Sequence, residues 1–186
     1  MPVVRVLLIE GYGAEVRRRL GRVLTDAVRL VIDAPKDVII VATEEVKPDN
    51  YMRGGLTKQP GAAVADPVEI VRSFLSAMEN RDLARARHFL SDDMEMSFPG
   101  GVRFENLNEM VAWSRTRYST ITKTFEGFDV CMGENGPVVF CRGFLSGGWV
   151  DGQAFSGIRF VDRFELSHNL ICRQSVWNDL SECLRG

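Results

Sequence analysis

Residues 3–46 read as one strand, one amphipathic helix and a second strand, and this triplet constrains the chain more than any other feature. "VVRVLLIE" is a run of Val, Leu and Ile of strand length. From Ala14 to Ile32 the apolar residues Val16, Leu20, Val23, Leu24, Ala27, Val28 and Val31 follow a helical period and form one stripe, with Arg17, Arg18, Arg22 and Arg29 largely elsewhere. Pro35 disfavours the helical state at the residue before it and ends the helix, and "DVIIVATEEV" supplies the second strand. Strand, helix, strand predicts a right-handed crossover with parallel strands. Such a unit buries little core, and parallel strands need cover on both faces. Copies of the same unit are the simplest cover, so the pattern predicts self-assembly. "NYMRGG" then reads as an exposed turn or short hairpin available to a neighbouring subunit.

The rest of the chain changes character. We place a first domain at 1–56, a linker rich in Pro, Gly and small residues at 57–65, and a second domain at 66–186. "DPVEIVRSFLSAMENRD" starts a helix with Asp66 as N-cap and Pro67 at the first helical position, and its apolar face is Val68, Val71, Phe74, Leu75 and Met78. "DLARARHFLSDD" reads as a second helix, "MEMSFPGGVRFE" as strand, glycine turn and strand, and "NLNEMVAWSRTRYS" as a third helix. Strand-like runs follow, split by turn signals at 133–136, 150–153 and 167–169. Helices first and then an antiparallel meander make an α+β domain with enough core to fold alone.

Composition narrows the partners. A formal charge of -2 gives no electrostatic case for nucleic acid or an anionic membrane, and no run approaches transmembrane length. The four cysteines, Cys131, Cys141, Cys172 and Cys183, contain no CxxC pair, and we expect buried, reduced thiols in a cytoplasmic protein. His88 and His168 have no acidic or thiol partners at ligand spacing, so neither a metal nor a cofactor is expected. Arg17 to Arg19 read as a solvated helix face, and the glycine-rich stretches lack phosphate-loop spacing.

Pro2 stands directly before the first strand. It has no backbone N–H to give a sheet, but if Met1 is removed it becomes a free secondary amine able to act as base or nucleophile. Taken with "LLIEG", the long helix ending in "LVIDAP", and "EEVKPDNYMRGG", residues 2–55 resemble a subunit of the 4-oxalocrotonate tautomerase family. The resemblance implies β-α-β units that pair and assemble, commonly as hexamers, with Pro2 as general base. The family's prototype holds its substrate with two arginines; Tyr12 and Ile40 stand at those positions here. Tyr51 takes the place of the aromatic pocket residue, and Arg53 lies nearby as a candidate cation. A small enolisable carbonyl compound fits these substitutions better than a dicarboxylate. The base must be shifted towards neutrality by an apolar pocket or by neighbouring cations.

Residues 66–186 resemble the SnoaL-like branch of the nuclear transport factor 2-like fold, through the helices followed by "GWVDGQAFSGIRFVDRFELSHNLICRQSVWNDL". That resemblance implies a cone of curved antiparallel sheet wrapped around helices, with an internal small-molecule pocket and a dimeric open sheet face. Period-two alternation places Asp162 among Ile158, Phe160 and Phe164, where a carboxylate would act as acid or base; the other reading pairs it structurally with Arg142 or Arg159. Trp113, Tyr118, Trp149 and Trp177 are candidate pocket aromatics, and Arg142 is a candidate ligand-binding cation. Three functions remain open: a Pro2 tautomerase with an attached pocket domain, a non-catalytic scaffold carrying a ligand binder, or an isomerase or hydratase run by Asp162. Satisfying both sets of contacts by closed symmetry gives a homohexamer.

Overall fold

The computed structural model describes residues 1–183, and the chain divides into two compact units, Met1–Val64 and Ala65–Gly186. In the first unit β1 (Val3–Ile9) and β2 (Ile40–Val46) pair in parallel, from Val3 beside Ile40 to Ile9 beside Val46, and α1 (Ala14–Arg29) makes the crossover. The helix stops at Arg29, and Leu30 to Ile32 form a trailing turn whose N–H groups still bond back to Asp26, Ala27 and Val28. A hairpin of β3 (Met52–Arg53) and β4 (Leu56–Thr57) turns through Gly54 and Gly55, both at positive φ. The stretch 57–65 is less of a free linker than its composition predicts. Thr57 belongs to β4, Pro60 lies against Gly11 too closely for a Cβ there, and Arg19 donates to the Val64 carbonyl.

This unit is short of core. Among its described residues only Ile39 is a buried hydrophobic. Along β1 the half-buried Val4, Val6 and Leu8 alternate with exposed Val3, Arg5 and Leu7. The exposed side chains form an uncovered sheet face with Ile40.

The second unit holds the main core. Asp66 caps α2 (Pro67–Glu79) by accepting the Val68 N–H at 3.0 Å, and Val71, Phe74 and Ala77 are buried from that helix. The next helix is shorter than expected: α3 (Leu83–Arg87) ends early, and "LSDDMEMSF" runs instead as one strand, β5 (Leu90–Phe98). Leu90, Met94 and Met96 are buried along it, and the sheet pairing available to this segment outweighs its helical propensity. Then follow β6 (Val102–Phe104), α4 (Leu107–Arg115), β7 (Tyr118–Met132), β8 (Pro137–Trp149), β9 (Ala154–Ser167), β10 (Leu170–Asn178) and α5 (Leu180–Cys183). The six-stranded sheet has the order β6-β5-β10-β9-β8-β7. It is mixed, because β10 closes the meander by pairing in parallel with β5. Register shifts between Phe125 and Gly127 and between Leu145 and Gly147 are the kind of bulge that bends a strand, and α2 packs against β7 and β8.

Cys141 is buried, Cys172 half-buried and Cys131 exposed; the side chain of Cys183 lies outside the described residues. Cys131 differs from expectation because β7 runs past the covered part of the sheet, where Val130 and Met132 are exposed as well. No helix among the described residues is long and apolar enough to cross a membrane.

Candidate functional site

A cavity of about 390 Å³ opens into the second unit between α2, α4 and the sheet. Phe98, Trp113, Phe125 and Phe160 make its walls, and Asp162, Lys123 and Gln174 bring polar atoms to it. Its form follows from strand parity. On β9 Ile158, Phe160, Asp162 and Phe164 all point inward, and Asp162 is 0% exposed. Across the ladder Cys141 of β8 faces Asp162, so Cys141 also points inward and Arg142 does not.

The partner of Asp162 is Lys123. Its ammonium pairs with Oδ2 of the carboxylate and lies 4.6 Å from the centroid of the Phe160 ring. Oδ1 is buried and has no hydrogen bond among the described residues, while the lysine side chain keeps 24% of its surface exposed. Lys123 therefore stands over the carboxylate. Neither expected arginine takes that place. Arg142 is on the opposite face, paired with Asp129, and Arg159 donates to Asp179 at 2.6 Å. As a ligand-binding residue Arg142 is thus displaced from the cavity, by the same alternation that turns Asp162 inward.

Of the aromatic candidates, Trp113 and Tyr118 line the cavity. Trp149 instead packs on Phe155, with centroids 4.5 Å apart, and Trp177 is exposed on the outer face. Burial pushes the Tyr118 phenol above its usual pKa, opposed in part by the Ser114 hydroxyl and by the charges of Lys123, Arg81 and Arg117. Burial, then the charge of Asp162, pushes the Cys141 thiol up to about 12. Sequence reading missed Lys123, although the signal was present. "ITKTF" alternates Ile121, Lys123 and Phe125, which puts the lysine on an apolar face. It also missed the cavity's arginines, Arg72, Arg81 and Arg117, because the first two and the third come from segments distant in sequence that only the fold brings to one cavity.

In the first unit the candidate residues fall at opposite ends. Pro2 is half-buried just before β1, and its carbonyl accepts the Ile40 N–H at 3.0 Å, so Pro2 and Ile40 lie together. Tyr12 follows the other end of β1, where its carbonyl accepts from Arg17 at 2.6 Å, and Arg17 also pairs with Glu45. Tyr51 and Arg53 come after the same end of β2, both exposed. A seven-residue strand, roughly 20 Å long, separates the two groups. One copy of the unit does not bring them into a single site. Among the described residues no group of three or more His, Cys, Asp or Glu is placed to hold a metal ion.

Comparison with known proteins places both units. The model of the family described as "Tautomerase enzyme" matches residues 2–59. A probable tautomerase of Staphylococcus aureus (strain Mu50) is 40% identical over 58 residues, which is 31% of this chain and 95% of that protein. A probable tautomerase of Staphylococcus epidermidis is 38% identical over the same length. The rest of the chain is similar in fold to an NTF2-like protein of unknown function from Burkholderia pseudomallei. That match has a TM-score of 0.56 at 19% identity and covers 66% of this chain and 97% of the other. A Jannaschia protein titled "Putative SnoaL-like polyketide cyclase" is similar with a TM-score of 0.51 at 16% identity, covering 67% and 95%. The chain belongs to the tautomerase family through its first unit, and its second unit has the NTF2-like fold.

Proposed function

We propose that this protein is a tautomerase-type isomerase in which the amine of Pro2, exposed by removal of Met1, moves a proton on a small enolisable carbonyl compound. The observation that carries the reading is the position of Pro2. It lies one residue ahead of β1 in a unit of tautomerase sequence, held by its carbonyl to the Ile40 N–H, and Met1 is 83% exposed to removal. A secondary amine is intrinsically too basic to be free at neutral pH, so the base needs an apolar or cationic surrounding. The open sheet face beside Pro2 carries Val3, Ile40 and Arg5, and docking of another copy there would supply such a surrounding. The same docking would bring Tyr12, Tyr51 and Arg53 of a second copy towards Pro2. The reading therefore includes a homo-oligomer, with a hexamer as the closed form.

The test is ketonisation of phenylenolpyruvate by chains whose amino terminus is defined by intact mass. Chains beginning at Pro2 should catalyse, and chains retaining Met1 should lose the ~10²–10⁴-fold that a placed base contributes. Pro2→Ala leaves a primary amine and should lose only part. Equal rates with and without Met1 would remove Pro2 from the mechanism and leave the first unit as an assembly scaffold.

The cavity favours a second reading for the other unit, in which it binds a small molecule. The cavity's volume of about 390 Å³ and the inward Asp162–Lys123 pair support it. Thermal melts of the full chain against a panel of one- to three-ring compounds test it, and no stabilisation by any of them would count against it.

A further inference from the structure

We infer that the cavity of the second unit is a receptor for a planar aromatic anion whose carboxylate or enolate oxygen meets the ammonium of Lys123, with Asp162 beneath it as counterion rather than as contact. This rests on the reading that the second unit binds a small molecule.

Depth is the first argument. Asp162 is fully buried and Lys123 is not, so a ligand entering the cavity reaches the ammonium before the carboxylate. Among the described residues the only polar partner of that carboxylate's side chain is Lys123, since Oδ1 has none there. A buried carboxylate satisfied by one ammonium holds it in place, and two of the ammonium's three donor hydrogens remain for a ligand.

Charge is the second argument. Four cations line the cavity (Arg72, Arg81, Arg117 and Lys123) against two carboxylates, Glu79 and Asp162. Among the described residues no carboxylate pairs with Arg81 or Arg117. Arg117 lies instead over the Trp113 ring at 4.9 Å, while Arg72 pairs with Glu69 outside the cavity lining and lies over the Phe128 ring at 3.9 Å. Apolar walls focus this positive field into the cavity. Tyr118 adds a polar phenol to the same lining, and burial holds it in the neutral form.

Shape is the third. The rings of Phe98, Trp113, Phe125 and Phe160 border a space of about 390 Å³, which suits fused or linked rings. A flat ligand between them presents its edge, where an acidic oxygen sits, to Lys123.

The experiment is calorimetry of the full chain with 2-naphthoate and its neutral isostere 2-naphthamide. Naphthoate should bind at least tenfold more tightly. Asp162→Asn should tighten naphthoate a further several-fold, because the ligand no longer shares Lys123 with a protein carboxylate, and should leave naphthamide within twofold. The double variant Lys123→Met/Asp162→Asn should erase most of the preference for naphthoate over naphthamide. Equal affinities for the two compounds, or tighter naphthamide, overturn the anion proposal but leave a small-molecule pocket standing. Loss of naphthoate binding alone in Asp162→Asn shows that Asp162 touches the ligand, and also overturns it. No heat from either compound at millimolar concentration defeats both the proposal and the pocket reading. If the double variant does not fold, the Asp162→Asn result decides.

Discussion

Lys123 of β7 reaches past the intervening strand β8 to close over the carboxylate of Asp162 on β9. The two differ in exposure, 24% against 0%, and that difference sets their roles. Among the described residues the carboxylate has the ammonium as its only side-chain partner, whereas the ammonium also borders the cavity. Gly143, on β8 between them, has no room for a Cβ, which would collide with the Thr124 carbonyl. This close approach of β7 and β8 brings Lys123 within reach.

The first prediction concerns stability. Lys123→Met strands a fully buried carboxylate and should cost about 3–5 kcal/mol. Asp162→Asn should cost less, since the lysine left behind still reaches solvent. The double variant Lys123→Met/Asp162→Asn should recover at least half of the single-variant loss. Urea unfolding of the three proteins checks the order, and Asp162→Asn proving the more damaging single change would contradict it.

A second prediction concerns the missing cation beside Pro2. The Ile40 N–H donates to the Pro2 carbonyl, and Ile40 is 42% exposed on the open face. Ile40→Arg should raise kcat/KM for phenylenolpyruvate, which carries a carboxylate, by about tenfold, chiefly through KM. An unchanged kcat/KM would mean that substrate charge is handled elsewhere.

The third addresses assembly. Val3 and Leu7 are 53% and 56% exposed on the uncovered face of a parallel pair. Leu7→Asp puts a charge on the face where another copy would dock. Light scattering should give about six chain masses for the native protein and a smaller species for the variant, with tautomerase activity falling in parallel. A native chain that scatters as a monomer at micromolar concentration would rule out both the hexamer and a Pro2 pocket completed by neighbours.

The fourth follows from Cys141, whose thiol burial pushes up to about 12. The unfolded thiol ionises near its ordinary value of about 8.5 and the folded one does not. Its contribution is therefore full below that pH and is lost as pH rises towards 12, by roughly 1.4 kcal/mol per unit. Unfolding free energies measured from pH 8 to 10.5 should fall more steeply for the native chain than for Cys141→Ala. In the same native protein the exposed Cys131 should react with a thiol reagent while Cys141 waits for unfolding.

The sequence by itself determined whatever a single segment can encode. A helical period gave α1, the strand runs gave β1 and β2, and Asp66-Pro67 fixed the start of α2. Gly, Asn and Asp in 133–136, 150–153 and 167–169 marked the turns between the long strands. Alternation turned Asp162 inward, because parity along one strand needs no knowledge of its neighbours. The tertiary structure decided what depends on register between segments distant in sequence. The bulge between Phe125 and Gly127 passes the inward side of β7 from odd residues (Ile121, Lys123 and Phe125) to Phe128, so parity alone could not say which cation would reach Asp162. Pairing with β10 drew "LSDD" out of a predicted helix and into β5. The candidate residues of the first unit were likewise separated by a fact of topology: parallel strands put Pro2 and Ile40 at one end and the segments bearing Tyr12, Tyr51 and Arg53 after the other.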